Sequence, residues 1–344
     1  MTTRMKIKIF TLNGYFNYGN RLQLFALSRV LKNINKKGVR IEVYWRKSLK
    51  TRVKELIRYR TPLAEKFKKE IKLKRFTKRF IPSRTSSTKC DYAMIGSDQV
   101  WNPDYFKNHR VLLGEGVGGQ KISYAASIGT ESLVEEQLVL FKNKLRDFKA
   151  ISVREVTAKD LLRPLTEKPV KVVLDPTLLL DKREYESLEE RPQDVKEGEK
   201  YILCYILGDR EHVKTIEKFA KRHNYRVILF SDKKDSNYGI EEFLYLIHHS
   251  ELICTDSFHA CVFSLIFERP FVAFKRSGGA NYMYSRLKNL INTFHLKNRE
   301  FNGKSITKEN LKVDYDEARK VLKREREKSI DFLKESLEIK NERK

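Results

Sequence analysis

The chain is short of cysteine, of negative charge and of long apolar runs. Its 344 residues include 4 cysteines, and Cys90, Cys204, Cys254 and Cys261 form no CxxC pair. That excludes a disulfide framework and suits buried thiols in a reducing compartment. No apolar run reaches the roughly 18–20 residues of a membrane span; the longest lie near Ile202–Leu207 and Ala260–Phe267. The opening MTTRMKIKIFTL is too short in apolar residues for a secretory leader and reads as a first strand. A cytoplasmic protein is expected. No His/Cys/Asp/Glu spacing suggests a metal site, so no metal is expected, and His248 and His249 read as structural residues at a polar helix end. Phosphate-cradling glycine motifs are missing too: Gly14 and Gly19 are wrongly spaced for GxGxxG or a Walker A loop, and the Gly114–Gly119 cluster precedes a strand.

Negative charge is outnumbered, 45 Asp and Glu against 71 Lys and Arg, for a formal net charge of +26. The excess concentrates between Arg46 and Arg79, where only Glu55, Glu65 and Glu70 are acidic. Leu49, Val53, Leu56 and Ile57 recur at helical spacing before Pro62; Phe67, Ile71 and Phe76 do so after it. Two basic amphipathic helices are predicted. They suit a solvated face or a patch for anionic headgroups and phosphorylated substrates at the inner face of the membrane. Nothing near them resembles a nucleic-acid module, and no nucleic-acid partner is expected.

What is present is an α/β alternation too long for one comfortable core. Strands are predicted at Lys6–Leu12, Ile41–Trp45, Tyr92–Ile95, Ile122–Ala126 and Ala150–Val153, then at Tyr201–Leu207, Arg226–Phe230 and Leu252–Cys254. Helices are predicted between them, notably Arg21–Ile34 and Ile240–His248. The predicted architecture is two Rossmann-like domains flanking a cleft: residues 1–168 with a basic insert at about 46–80, residues 169–305, and a charged helix over 306–344 that could lean back across them.

The most informative stretch is Leu252–Phe274, LICTDSFHACVFSLIFERPFVAF. It reads as strand, loop, helix, turn and strand, a βαβ unit that places His259 where α/β proteins bind ligands, beyond the carboxyl end of a strand. Asp256 and Ser257 stand beside it, either as chemical partners or as helix caps. Gly96–Pro103 combines Ser97, Asp98, Trp101 and Asn102 after a strand; these residue types suit sugar hydroxyls and a ring face, or equally a helix cap and a core indole. Arg154 ends a strand and could clamp an anion in two-point fashion or pair with Glu155. Asp175-Pro176 reads as a strand-terminating turn.

Taken in order, these pieces resemble the polysaccharide pyruvyl transferase family. The stretches that carry the likeness are Asn17-Tyr18-Gly19-Asn20 with Leu22-Gln23, Gly96–Asn102, Ser123–Ser127, Ser152–Glu155, Asp175-Pro176-Thr177 and Thr255–His259. The resemblance implies a GT-B-like fold and transfer of an enolpyruvyl-derived unit from phosphoenolpyruvate to two hydroxyls of a cell-surface sugar or its precursor, which includes lipid-linked glycans. Phosphoenolpyruvate is then a co-substrate, and no cofactor is needed. It implies that Arg154 binds phosphoenolpyruvate and that His259 is the acid/base, with Asp256 or Asp98 orienting the imidazole or the sugar. Asn20, Gln23, Ser97, Asp98, Trp101, Asn102 and Ser257 fall on matching motifs as substrate-binding candidates. One departure stands out: some members carry an arginine where this chain has Ser257, and its place as an anion clamp would fall to Lys275, Arg276 or Arg286. The rival reading is a GT-B glycosyltransferase that uses a nucleotide sugar in exopolysaccharide or capsule synthesis.

Overall fold

The computed structural model describes residues 4–12, 17–35, 38–45, 68–106, 109–208, 210–230, 237–276 and 281–339. The predicted basic helix over the first half of the 46–80 insert lies outside the described residues. Its second half forms a helix, Lys68–Phe80, whose Leu73 and Phe76 are buried.

The first half runs β1 (Met5–Phe10), α1 (Tyr18–Ile34), β2 (Val39–Tyr44), α2 (Lys68–Phe80), β3 (Arg84–Thr85), β4 (Tyr92–Asp98), α3 (Pro103–Phe106), β5 (Gln120–Ala126), α4 (Glu135–Leu145), β6 (Phe148–Val153), α5 (Val156–Leu162) and β7 (Val170–Val172). Among the described residues its seven strands lie in the order β3-β2-β1-β4-β5-β6-β7 and pair in parallel. That is the Rossmann order with one strand added.

The second half runs α6 (Lys182–Glu186), β8 (Tyr201–Tyr205), α7 (Val213–Arg222), β9 (Arg226–Phe230), α8 (Ile240–His248), β10 (Leu252–Thr255), α9 (Phe258–Ile266), β11 (Phe271–Ala273), α10 (Asn281–Thr293) and α11 (Asp316–Ser336). Its parallel sheet has the order β11-β10-β8-β9, the doubly wound arrangement that starts from a central strand. Burial explains the sequence of these strands: β8 and β10 are covered on both faces, so they read as continuous apolar runs rather than alternating ones.

Helices α1 and α11 are among the elements that tie the halves together. Helix α1 is buried over most of its length, and Tyr18 at its start stacks on Phe243 of α8 at 5.0 Å. Helix α11 also reaches both halves. Ser329 accepts from the Leu174 amide at 3.0 Å, and Arg326 donates to the Leu178 and Leu180 carbonyls at 2.8 and 2.9 Å. Nearer its start, Arg319 pairs with Glu268 of the second half at 2.8 Å. Helix α10 was not among the predicted elements, although Leu287, Leu290, Ile291 and Phe294 carry the helical period and are all buried. Among the described residues no helix is long and apolar enough to cross a membrane.

Candidate active site

Parallel strands end on one edge of their sheet, and the candidate residues gather where those edges meet. The turn after β10 is locked by its own side chains. Thr255 Oγ1 donates to the Tyr205 carbonyl at 2.6 Å and accepts from the Ser257 amide at 2.9 Å. The Asp256 carboxylate accepts from the amides of Leu207 and Gly208 at 2.7 and 2.8 Å and from Arg276 Nε at 3.0 Å. Asp256 therefore holds strand ends together, and its bonds go elsewhere than to His259. Ser257 is the N-cap of α9, and its hydroxyl makes no capping bond.

His259 opens the first turn of α9 and reaches across to α1. Its Nε2 lies 2.6 Å from Gln23 Nε2 and 3.7 Å from Asp175 Oδ2. Gln23 donates to Asp175 Oδ2 at 2.7 Å, and its Oε1 accepts from Ser97 Oγ at 3.0 Å. The Asp175 carboxylate, which can only accept, fixes which end of the amide is the nitrogen, so the Gln23 NH₂ serves both Asp175 and the imidazole. The neutral ring thus accepts at Nε2 and carries its proton on Nδ1. Gly19 makes this approach feasible: a Cβ there would lie 2.0 Å from His259 Nδ1.

Asp175 is the hub. Its Oδ2 accepts from Gln23 and from Arg154 Nη1 at 2.9 Å, and its Oδ1 accepts from the Thr177 amide and hydroxyl at 3.1 and 2.7 Å. Burial would push such a carboxyl upward, but the His259 ring in its protonated form, then the Arg154 cation and the bond from Thr177, hold it well below the usual carboxylate range. Reading Asp175-Pro176 as a turn captured the backbone, since Asp175 does cap the 3₁₀ turn Pro176–Leu179, and missed the side chain's second role.

Arg154 ends β6 and is buried. Beyond Asp175 and a looser 3.7 Å approach to Glu155, its Nε and Nη2 have no hydrogen-bond partner among the described residues. The Ser127 hydroxyl, at the end of the neighbouring β5, is likewise buried and without one. Arg286, from α10, joins this group: the guanidinium carbons of Arg154 and Arg286 lie 4.5 and 5.9 Å from the centre of the Phe258 ring. Turned so that its oxygen faces Arg286, the Gln99 amide accepts from both Nη atoms at 2.9 Å. Burial and the neighbouring Arg154 cation lower the Arg286 guanidinium to about 10, against the opposing pull of Glu155 and Asp98. The two buried guanidiniums thus share the carboxylates of Asp175, Glu155 and Asp98, while Nε and Nη2 of Arg154 keep hydrogen-bonding capacity to offer.

The remaining candidates divide. Ser97 belongs to the network through Gln23. Its strand end is shaped by Gly96, at φ 129°, where a Cβ would meet the Tyr124 carbonyl at 2.1 Å. Asn20 donates to Asp98 Oδ2 at 3.0 Å, and Asp98 Oδ1 accepts from the Gln99 amide at 2.9 Å, so both shape the loop. Asn102 Oδ1 accepts from the Asp104 amide. Trp101 as a sugar platform needs correction: it is 0% exposed, packs edge-on against Phe141 and Phe148, and donates from Nε1 to the Leu112 carbonyl. Its ring face is spent on the core. His248 and His249 both bond Glu189, at 2.8 and 3.2 Å, and tie α8 to the segment after α6. Ser127 and Asp175 were missed as site residues, although both lie within the motifs that carry the family resemblance.

A Rossmann sheet and a second parallel sheet, with an arginine from the first half and a histidine from the second converging on one carboxylate, make an α/β frame with one polar site. The polysaccharide pyruvyl transferase family matches residues 17–278, and the chain belongs to that family. No curated protein matches it. Among solved structures it is similar to a functionally uncharacterised protein from Klebsiella pneumoniae (14% identity, 86% of this chain and 90% of that one, TM-score 0.44). It is also similar to a UDP-GlcNAc 2-epimerase from Neisseria meningitidis bound to UDP-GlcNAc (11%, 96% and 100%, TM-score 0.47). A third is the ADP-heptose heptosyltransferase II of E. coli (15%, 96% and 99%, TM-score 0.35).

Proposed function

We propose that the protein transfers the pyruvyl unit of phosphoenolpyruvate onto two hydroxyls of one sugar, leaving a ketal and releasing phosphate. The observation that carries this reading is the pair Arg154 and Arg286 over Phe258, next to the His259–Asp175 pair. Phosphoenolpyruvate carries a carboxylate and a phosphate ester on one carbon, and the unpartnered Nε and Nη2 of Arg154 suit two-point binding of one of them. Arg286, arriving from α10, supplies the second cation that Ser257 does not.

The chemistry follows from the histidine's two nitrogens. Nε2 is engaged by Gln23 and Asp175, whereas Nδ1 makes no hydrogen bond among the described residues. Uptake of a proton turns Nε2 into a donor, and Asp175 is the anion that stabilises the imidazolium. The cationic ring gives the Nδ1 proton to the methylene carbon of phosphoenolpyruvate while a sugar oxygen bonds to C2. Nδ1 is then free to take the proton of that hydroxyl. Attack by the second hydroxyl breaks the bond between C2 and the phosphate oxygen, and phosphate leaves carrying the remaining proton. Positioned acid/base help of this kind contributes roughly 10²–10⁴-fold.

Phosphate release from phosphoenolpyruvate, measured with glycan acceptors for wild type and His259→Ala, tests the reading. A loss of at least 10²-fold is expected; equal rates would remove His259 from the reaction.

A further inference from the structure

Two histidines and a glutamate meet away from the proposed active site, at the C-terminal end of α8. His248 is the last residue of that helix and His249 its C-cap. Glu189, just after α6, reaches them across 59 residues of sequence, so no local spacing announces the cluster. Its Oε1 lies 2.8 Å from His248 Nδ1 and its Oε2 lies 3.2 Å from His249 Nε2. All the atoms that could ligate a metal lie within 4.8 Å of one another. Among the described residues no lysine or arginine pairs with this carboxylate. His248 stacks on Phe267, the C-cap of α9, whereas His259 opens the first turn of that helix. A rise of about 1.5 Å per residue separates the two places by roughly 12 Å along α9.

Each ring is held by an aromatic neighbour. His248 lies 4.5 Å from the Phe267 ring centre at 15°, and His249 lies 4.1 Å from that of Tyr245 at 21°. The two imidazole planes are 52° apart, so they present nitrogens to the carboxylate from two directions. Two imidazoles and a carboxylate are a zinc donor set of three, with the fourth position left to water. Tetrahedral bonds of about 2.0–2.1 Å space ligand atoms about 3.4 Å apart, close to the distances found here. Behind His248, Nε2 faces Glu186 Oε1 at 3.8 Å, where a carboxylate can take the outer N–H of a metal-bound ring. The C-terminal end of a helix also favours positive charge. Glu189 is 10% exposed, and His249, at 42%, leaves a path of entry.

We propose that Glu189, His248 and His249 bind a zinc ion, which clips the end of α8 to the segment after α6. Zinc at Nδ1 of His248 requires that ring's proton on Nε2, the side of Glu186; zinc at Nε2 of His249 requires it on Nδ1. Hard cations such as magnesium prefer oxygen ligands, so two imidazoles select against them. The site takes no part in the proposed transfer. Its role is to stiffen the second half at the end of α9 opposite His259.

Calorimetric titration of the tag-free full chain with zinc chloride, after treatment with a chelator, tests the site in wild type, His249→Ala and Glu189→Gln. The His249 side chain is exposed, so its variant should fold, and circular dichroism checks both variants. A single zinc per chain is expected for wild type. Affinity should fall about 100-fold or more in each variant, since losing a mere outer partner of a metal ligand already costs about 10- to 100-fold. Zinc should raise the Tm of wild type and of neither variant, and magnesium should raise none of the three. Cobalt(II) supplied in place of zinc should give the visible absorption of a four-coordinate ion in wild type alone. Failure of wild type to bind zinc, equal binding by the variants, or an equal response to magnesium overturns the site. Phosphate release is not a readout here, so this site and the proposed function fail separately.

Discussion

The imidazole Nε2 of His259 and the amide nitrogen of Gln23 lie 2.6 Å apart, although α9 and α1 belong to different halves of the chain. The amide also holds Asp175 and Ser97, so one side chain sets both the tautomer and the position of the ring. Gln23→Ala should lower kcat by about 10- to 100-fold, since small misplacements of a reacting group carry penalties of that size. The KM for phosphoenolpyruvate should move much less, because neither arginine is bonded to Gln23 in the network. A variant in which only KM rises would make Gln23 a substrate ligand instead.

Gly19 leads to a sharper test because stability and activity should part company. A methyl group at this position would meet the imidazole at 2.0–2.5 Å, so the ring must move. Alanine is otherwise favoured over glycine within a helix by about 1 kcal/mol, and Gly19 lies in α1. Gly19→Ala should therefore lower the rate by about 10²-fold or more with little change in Tm. Equal activity would show that His259 need not sit where it does.

Asp175 makes a prediction about acid. Its folded-state pKa is depressed, so its contribution to stability is fully present above the unfolded value of about 3.9 and is lost as pH falls through the folded value below it. Wild type should lose Tm steeply below about pH 4. Asp175→Asn should start lower, by about 3–5 kcal/mol, because Arg154 is left as a buried cation without its closest anion. Its Tm should then depend less on pH below about 4. Parallel pH profiles for the two proteins would refute this role.

The division between what could be read and what could not follows the range of each signal. Continuous apolar runs such as Tyr201–Tyr205 and Leu252–Thr255 announce buried parallel strands, and Arg226–Phe230 and Ile240–His248 fall where periodicity puts them. His259 and Arg154 were visible because strand-end placement is a local property. Asp175 was not, because its hydrogen bonds to Gln23 and Arg154 span 152 and 21 residues, and a turn aspartate has the same local sequence. Trp101 misled for the opposite reason: an indole beside Asp98 and Asn102 has the composition of a sugar site, and only packing against Phe141 and Phe148 reveals a core residue. Helix α10 had a legible stripe, and with it Arg286 could have been placed.

Arg286 and Arg276 separate two roles that the sequence left interchangeable. Both were candidates to stand in for an arginine at position 257. Arg276 is bound to Asp256 through Nε at 3.0 Å and through Nη2 to its carbonyl at 3.2 Å, which makes it part of the turn after β10. Arg286 instead shares the Phe258 ring with Arg154. Arg286→Ala should weaken phosphoenolpyruvate binding by roughly 10- to 100-fold, the value of a charged hydrogen bond or two, with Tm unchanged or slightly raised as a buried cation beside another is removed. Arg276→Ala should lower Tm and leave the affinity close to that of wild type. Calorimetric titration and thermal unfolding of both variants decide the matter, and the reverse pattern would assign the second cation to Arg276.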